Sequence, residues 1–156
     1  VAGGGFTQGT EQATTSGTSW TFGSIPSGVD IIIINFFEHS LNAATDWVVT
    51  IGDAGGLETS GYISSSTNIA SSTITHSNST AGYIVETRNA SDIFSGTMTL
   101  TLEDASAFTW ISTSLMKTQT TDHIYGGGSK SLSAELTQVS IGGVTGDGGA
   151  INIMYQ

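Results

Sequence analysis

The sequence predicts an all-β protein, an antiparallel β-sandwich that is jelly-roll-like and has about nine strands. Three observations carry this. Apolar residues recur with a period of two, most clearly in residues 96–103, where Met98, Leu100 and Leu102 alternate with Thr97, Thr99 and Thr101. Strand-like runs return about every ten residues with Gly, Asn, Asp or Ser clusters between them, the spacing of a sandwich or barrel. No segment longer than about two turns carries the 3.6-residue period of an amphipathic helix.

The elements follow in order. Residues 1–17, with Gly3-Gly4-Gly5 and then a Thr, Ser and Gln run, have little to bury and read as a flexible N-terminal arm or linker, whose functional version docks on a neighbouring subunit. A β-sandwich domain then spans 18–156, a length that allows one substantial core. Its first strand is 18–22, closed by the turn Gly23-Ser24-Ile25-Pro26-Ser27-Gly28. The second, 29–39, is apolar on both faces, with Ile31, Ile33 and Phe37 on one side and Ile32, Ile34 and Phe36 on the other. Such a strand has to be covered twice, once by the facing sheet and once by a loop or another subunit, which makes Ile31, Ile33 and Phe37 the candidate oligomer contacts. In the third, 46–52, Trp47, Val49 and Ile51 share a face. The turn Asp53-Ala54-Gly55-Gly56 leads to a strand over 57–64, and the Ser, Thr and Asn content of 65–79 predicts a long exposed loop, with room for an irregular strand inside it. Strands follow at 80–87, 96–103, 107–116, 130–141 and 150–156, with Leu132, Ala134 and Leu136 inward in the eighth and Gly126-Gly127-Gly128 as punctuation before it.

Composition narrows the function classes. Three Lys or Arg stand against thirteen Asp or Glu, for a formal charge of −10, so no basic stripe exists for nucleic acid and anionic membrane surfaces are disfavoured. No apolar run is long enough to span a bilayer as a helix. There is no cysteine, hence no disulfide framework, thiolate metal cluster or thiol nucleophile. The opening VAGGGFTQGT lacks the basic end and apolar stretch of a secretory leader, so we expect a chain that is mature or leaves its cell by another route. With 21 Gly and only 10% charged residues, the surface is expected to be covered by hydroxyls, a habit of extracellular and virion β-proteins.

The segments GSIPSGVDIIIINF, WVVTIGDAGGLETSGY, GTMTLTLED, GGGSKSLSAELTQVSI and GGAINIMY together resemble a β-module found at the distal ends of tailed-bacteriophage tail fibres and in related phage structural proteins. The central motif reads Gly52-Asp53-Ala54-Gly55-Gly56-Leu57-Glu58-Thr59-Ser60-Gly61-Tyr62, and the terminal one Ile151-Asn152-Ile153-Met154-Tyr155. The resemblance covers roughly residues 18–156. It implies a virion structural protein, and the acidic-then-apolar start Val29-Asp30-Ile31-Ile32, where that module has basic residues, leaves room for a capsid decoration or cement protein as well as a fibre tip.

Chemistry-bearing patterns are sparse. His39, His76 and His123 lie far apart in no metal-ligand spacing; His39 is expected at a strand end and the others in polar loops. No nucleophile elbow accompanies the serines. Glu103 and Asp104, neighbours on a strand, point opposite ways and read as charged strand ends. We therefore expect no catalytic and no cofactor-binding residues, and no enzyme. Asp53 and Glu58, flanking a glycine turn, are the one candidate pair for Ca²⁺. Trp20, Trp47 and Trp110 fall within strands and belong to the core, whereas Tyr62, Tyr83 and Tyr125 lie near turns, with Tyr62 and Tyr125 as candidate ligand contacts. The leading expectation is a phage virion protein on the particle exterior that forms a homo-oligomer, a trimer in the first instance, and contacts capsid or fibre proteins. The alternative is a lectin-like module that binds host-surface glycans through the loops 65–79 and 118–128.

Overall fold

In the computed structural model, which describes residues 4–118 and 122–156, the chain is all-β and wholly antiparallel. Its strands are β1 (Thr7–Gln8), β2 (Gln12–Ala13), β3 (Ser19–Phe22), β4 (Ile31–Leu41), β5 (Trp47–Asp53), β6 (Gly56–Leu57), β7 (Ile63–Ile69), β8 (Ile74–Ser79), β9 (Tyr83–Val85), β10 (Ile93–Asp104), β11 (Thr109–Lys117), β12 (His123–Ser131), β13 (Gln138–Gly142) and β14 (Gly146–Tyr155). Nine of them form one sheet in the order β1-β14-β4-β10-β11-β12-β7-β8, with β2 also on β14. The other five form β3-β13-β5-β6, with β9 also on β5. The two sheets stack as a sandwich.

The chain passes from β4, near the middle of the large sheet, directly to β5, in the middle of the small one. Trp47 at the start of β5 meets Phe36 of β4 at 5.2 Å and Phe94 of β10 at 5.6 Å between ring centroids, so the first residue after the crossover clamps the sheets together. Ile32, Ile34, Met98, Leu100, Trp110 and Met116 supply the large sheet's inner face, and Val49, Ile51, Val139 and Ile141 the small sheet's. Each such side chain contributes about 1.5–3 kcal/mol on leaving water.

The expected alternations hold where the inside is apolar. In β4, Ile32, Ile34 and Phe36 are buried while Ile31, Ile33 and Asn35 are half-buried. In β10, Met98 and Leu100 are inward and Thr97 and Thr101 exposed. All three tryptophans are buried.

Six expectations are corrected. Fourteen strands replace about nine, because two-residue pairings such as β1, β2 and β6 are too short to show a period. The polar stretch 65–79 is no loop but most of the β7–β8 hairpin, paired in continuous register from Ser64↔Ser79 to Ile69↔Ile74. The strand expected over 57–64 is interrupted, Leu57 ending β6 and pairing resuming at Ile63, and the one expected over 130–141 is divided: Leu132 and Leu136 are buried between strands, Ala134 is exposed, and pairing resumes at Gln138. Gly126-Gly127-Gly128 lies inside β12, where the strand crosses so close to β7 that a Cβ on Gly128 would overlap the Ile63 carbonyl oxygen. Of the arm, residues 1–3 lie outside the described residues, but from Thr7 onward it is laid along its own chain: β1 and β2 pair with β14, Gly9 N–H donates to the Ile153 carbonyl (2.8 Å) and Thr14 N–H to that of Gly149 (2.9 Å).

β7 was unreadable for a physical reason. Its inward residues are Ser64, Ser66 and Asn68, all buried. Ser64 and Ser66 meet main chain in and just after β9, not apolar side chains: Ile84 N–H donates to Ser64 Oγ (2.9 Å) and Glu86 N–H to Ser66 Oγ (3.1 Å), while the main-chain N–H of Asn68 donates to the carboxylate Oε2 of Glu86 (2.8 Å). The edge of the small sheet is thereby satisfied by hydroxyls of the large one.

His39 is likewise not at a strand end. A bulge puts Glu38 at φ +50°, its N–H donating to Ser95 Oγ (3.1 Å), so that Phe37 and Glu38 both face out and His39 turns inward. Its ring packs edge-on to Trp20 (5.3 Å) and Trp47 (5.2 Å), and neither ring nitrogen has a hydrogen-bond partner among the described residues. Burial pushes its pKa down from 6.5 to about 4, against the pull of Asp147. The unfolded chain therefore binds the proton more readily than the fold. Stability from this group is complete above pH 6.5 and is lost as pH falls toward 4, by about 3 kcal/mol at most. We predict a fall in the urea midpoint between pH 6.5 and about 5.5, above the range where carboxylates protonate, and its flattening in His39→Phe, both read by intrinsic fluorescence.

Candidate functional site

Three places emerge from the residues singled out in the sequence. The first is the outer face of β4. Ile33 sits beside Met154 of β14 and Thr99 of β10, and Phe37 beside Ala150. Ile31 and Ile33 are half-buried by these neighbours, whereas Phe37 is 64% exposed at the bulge. The structure thus brings Ile31, Ile33 and Phe37 onto one outward face, with Ile32, Ile34 and Phe36 given to the core.

The second is the far half of the same sheet. Leu115 of β11 pairs in register with Tyr125 of β12, and His123 with Ile69 of β7, which pairs with Ile74 of β8. Tyr125 is 47% exposed and its ring stacks on His123 at 6.4 Å and 29°. His76 and His123 lie on strands, not in loops. Of the expected contact loop 118–128, residues 119–121 lie outside the described residues and His123 onward is strand. A shallow groove of about 410 Å³ opens at the end of the β7–β8 hairpin, beside Ile63, Asn78 and Thr80.

The third is the Asp53–Glu58 turn, where the fold joins two carboxylates that four residues separate in sequence. Both converge on Ser133: its Oγ donates to Asp53 Oδ2 (2.6 Å) and its N–H to Glu58 Oε1 (2.8 Å). Gly55 N–H donates to Asp53 Oδ1 (2.7 Å). Lys130, itself buried, forms an ion pair with Glu58 Oε2 and lies over the Tyr62 ring, 5.5 Å from its centroid. The bonds from Ser133 and Gly55 hold Asp53 below the ordinary carboxylate range. For Glu58, desolvation works the other way, but the Lys130 ammonium and the Ser133 N–H outweigh it and lower the pKa. The Glu58 carboxylate is engaged by the ammonium of Lys130. Among the described residues no three His, Asp or Glu side chains are grouped to hold a metal.

Tyr62 is corrected as a ligand contact. It is 1% exposed: its hydroxyl accepts from Ile51 N–H (2.8 Å) and donates to the Glu58 carbonyl (2.9 Å), and its ring meets Tyr83 edge-on at 5.0 Å. Burial pushes its pKa up to about 12. Tyr83 is buried too, its hydroxyl donating to the Trp110 carbonyl (3.1 Å), and its pKa is raised for the same reason. The Gly61-Tyr62 end of the motif is therefore a core plug, and the Asp53–Glu58 turn is the cap that holds it. Asp104 caps a turn, accepting from Ser106 N–H (2.7 Å) and Ala107 N–H (3.2 Å). Lys130, the partner of Glu58, lies 72 residues further along the chain, and no local spacing connects the two.

No family model, no curated protein and no solved structure matches this chain.

Removing the ammonium tests the cap. Lys130→Met is expected to destabilise the fold by about 1–3 kcal/mol, since Glu58 keeps its half-buried charge without its partner. The Glu58 carboxyl should then titrate higher, which side-chain carboxyl NMR reads directly.

Proposed function

We propose that this chain is a non-enzymatic structural protein of a bacteriophage particle, placed on the particle exterior as a capsid decoration or tail-fibre-tip module, where it forms a homo-oligomer. The observation that carries the self-association is β4. One face of the strand is consumed by the sandwich core, and the other still presents Ile31, Ile33 and a Phe37 side chain that is mostly in water. The particle assignment is supported by the resemblance of the 52–62 and 151–155 motifs to phage fibre modules. The surface agrees with it in character: carboxylates and hydroxyls without a basic stripe suit contact with protein partners, not with nucleic acid.

Size-exclusion with light scattering is the test. The wild type is expected as a concentration-dependent oligomer. Ile32→Asp should prevent folding, because Ile32 is fully buried, while Phe37→Asp should leave a folded protein that loses the contact made by this face and forms a smaller oligomer. A monomer at every micromolar concentration would overturn the reading. For the particle, cryo-EM should place the density on the exterior of a capsid or fibre.

A second reading, a host-glycan-binding module, is favoured by one feature, the exposed Tyr125 stacked on His123 with Leu115 beside it, since sugar rings stack on such faces. Saturable binding on a glycan array that Tyr125→Ala abolishes is the expected result, and no binding with or without divalent ions removes this reading.

A further inference from the structure

The edges of the two sheets are treated unequally. At one end of the large sheet, β1 and β2 are only two residues each. In the small sheet β6 is equally short, β3 receives the Gln12 side-chain amide on its Thr21 carbonyl (2.9 Å), and β9 is sealed by the hydroxyls of Ser64 and Ser66. Among the described residues only β8, the other end of the large sheet, is full-length and unsealed. It is six residues long, runs along β7 without a bulge, and contains no Pro, Lys, Arg, Asp or Glu. Charges, prolines, bulges and brevity are the devices that keep edge strands from pairing with another chain. β8 has none of them.

Its open hydrogen-bonding groups can be assigned. Ala70 N–H donates to the Thr73 carbonyl (2.9 Å) across the hairpin turn, and bonded and non-bonded positions alternate from there. Thr75, Ser77 and Ser79 therefore bond inward to β7, and the N–H and C=O of Ile74, His76 and Asn78 point away from the sheet. The side chains of these same three residues are exposed on the outer face, Ile74 at 69%.

We propose that β8 is a self-association edge, pairing antiparallel with β8 of a second copy about a two-fold axis at His76, so that His76 faces its own counterpart, Ile74 faces Asn78 of the other copy, and the large sheet runs on through both. A second copy is the occupant for two reasons. The segment is self-complementary in this register, with three outward residues meeting three in about six main-chain hydrogen bonds. And two chains of charge −10 can approach closely only where carboxylates are absent. None of β7, β8, β11 and β12 contains Asp or Glu, while the exposed basic side chains Lys117, His76 and His123 all lie there. This contact takes from the proposed function only that the chain self-associates; it places the contact on β8, apart from the Phe37 face.

A cysteine-free chain allows a register-specific test. Residues opposite each other in a bonded antiparallel pair have Cα atoms about 5.5 Å apart, within disulfide reach. On mild oxidation His76→Cys should form a covalent dimer, whereas Phe37→Cys should not. His76→Pro removes an outward N–H without touching the β7 ladder, and His76→Lys sets like charges opposite each other; each should weaken the dimer by about tenfold or more in sedimentation equilibrium with an unchanged circular-dichroism melt. If His76→Pro unfolds, His76→Lys decides. An oligomer that survives both variants and dissociates in Phe37→Asp overturns the β8 contact and leaves the homo-oligomer standing. A wild type monomeric at all concentrations overturns both.

Discussion

The structure depends on the passage from β4 to β5. These consecutive strands sit in the interiors of different sheets, so the five residues between Leu41 and Trp47 determine how the layers face one another. Trp47 completes the step by filling the space between Phe36, Phe94 and His39. β10 and β14 then flank β4, and β13 and β9 flank β5, and the apolar core is the overlap of these two groups. The Glu38 bulge belongs to the same arrangement. Without it, period two would send His39 outward with Phe37, and the indole rings of Trp20 and Trp47 would lose the partner between them.

Five strands cannot cover nine. Beyond the overlap, the inner face of the large sheet changes from isoleucine and methionine to Ser64, Ser66, Asn68, Ser112 and Ser114. There the facing layer is a single three-residue strand, β9, whose own edge would otherwise hold unpaired amides away from water, a cost of about 1–3 kcal/mol for each. Serine is the side chain short enough to let that main chain come close and polar enough to accept from it. The abundance of hydroxyls, which composition alone places on the surface, is thus partly an interior requirement.

That division accounts for what the sequence disclosed. β10 and β4 were legible because their inward neighbours are apolar, so burial and hydropathy coincide and the period appears. β7, β8 and β12 were not, because inward there is mostly Ser, Thr, Asn or Gly, and hydropathy carries no record of what lies opposite. The same blindness affected Tyr62. Its neighbourhood of Gly, Ser and Thr reads as an exposed turn, and only Lys130 and Ser133, some seventy residues downstream, show that the turn is folded over the ring. The outward set Ile31, Ile33 and Phe37 was separable from the inward one by alternation, but which set faced in depended on the position of β4 within the sheet.

Cations of this chain are paired with its own carboxylates. Lys130 is held by Glu58 and Tyr62, Arg88 reaches Asp122 at 3.1 Å, and the basic side chains that remain exposed, Lys117, His76 and His123, share one half of one sheet. The exterior outside that half is consequently almost purely acidic, and two copies repel at any separation where the whole charge is felt. Attraction between them has to be short-ranged, from main-chain pairing and apolar contact at places the carboxylates leave bare. Added salt screens the repulsion within about 10 Å at 0.1 M and leaves those contacts intact. Association of this protein with itself should therefore strengthen with ionic strength, the opposite sign to a surface that works by charge complementarity, and that sign follows from where the thirteen carboxylates are not.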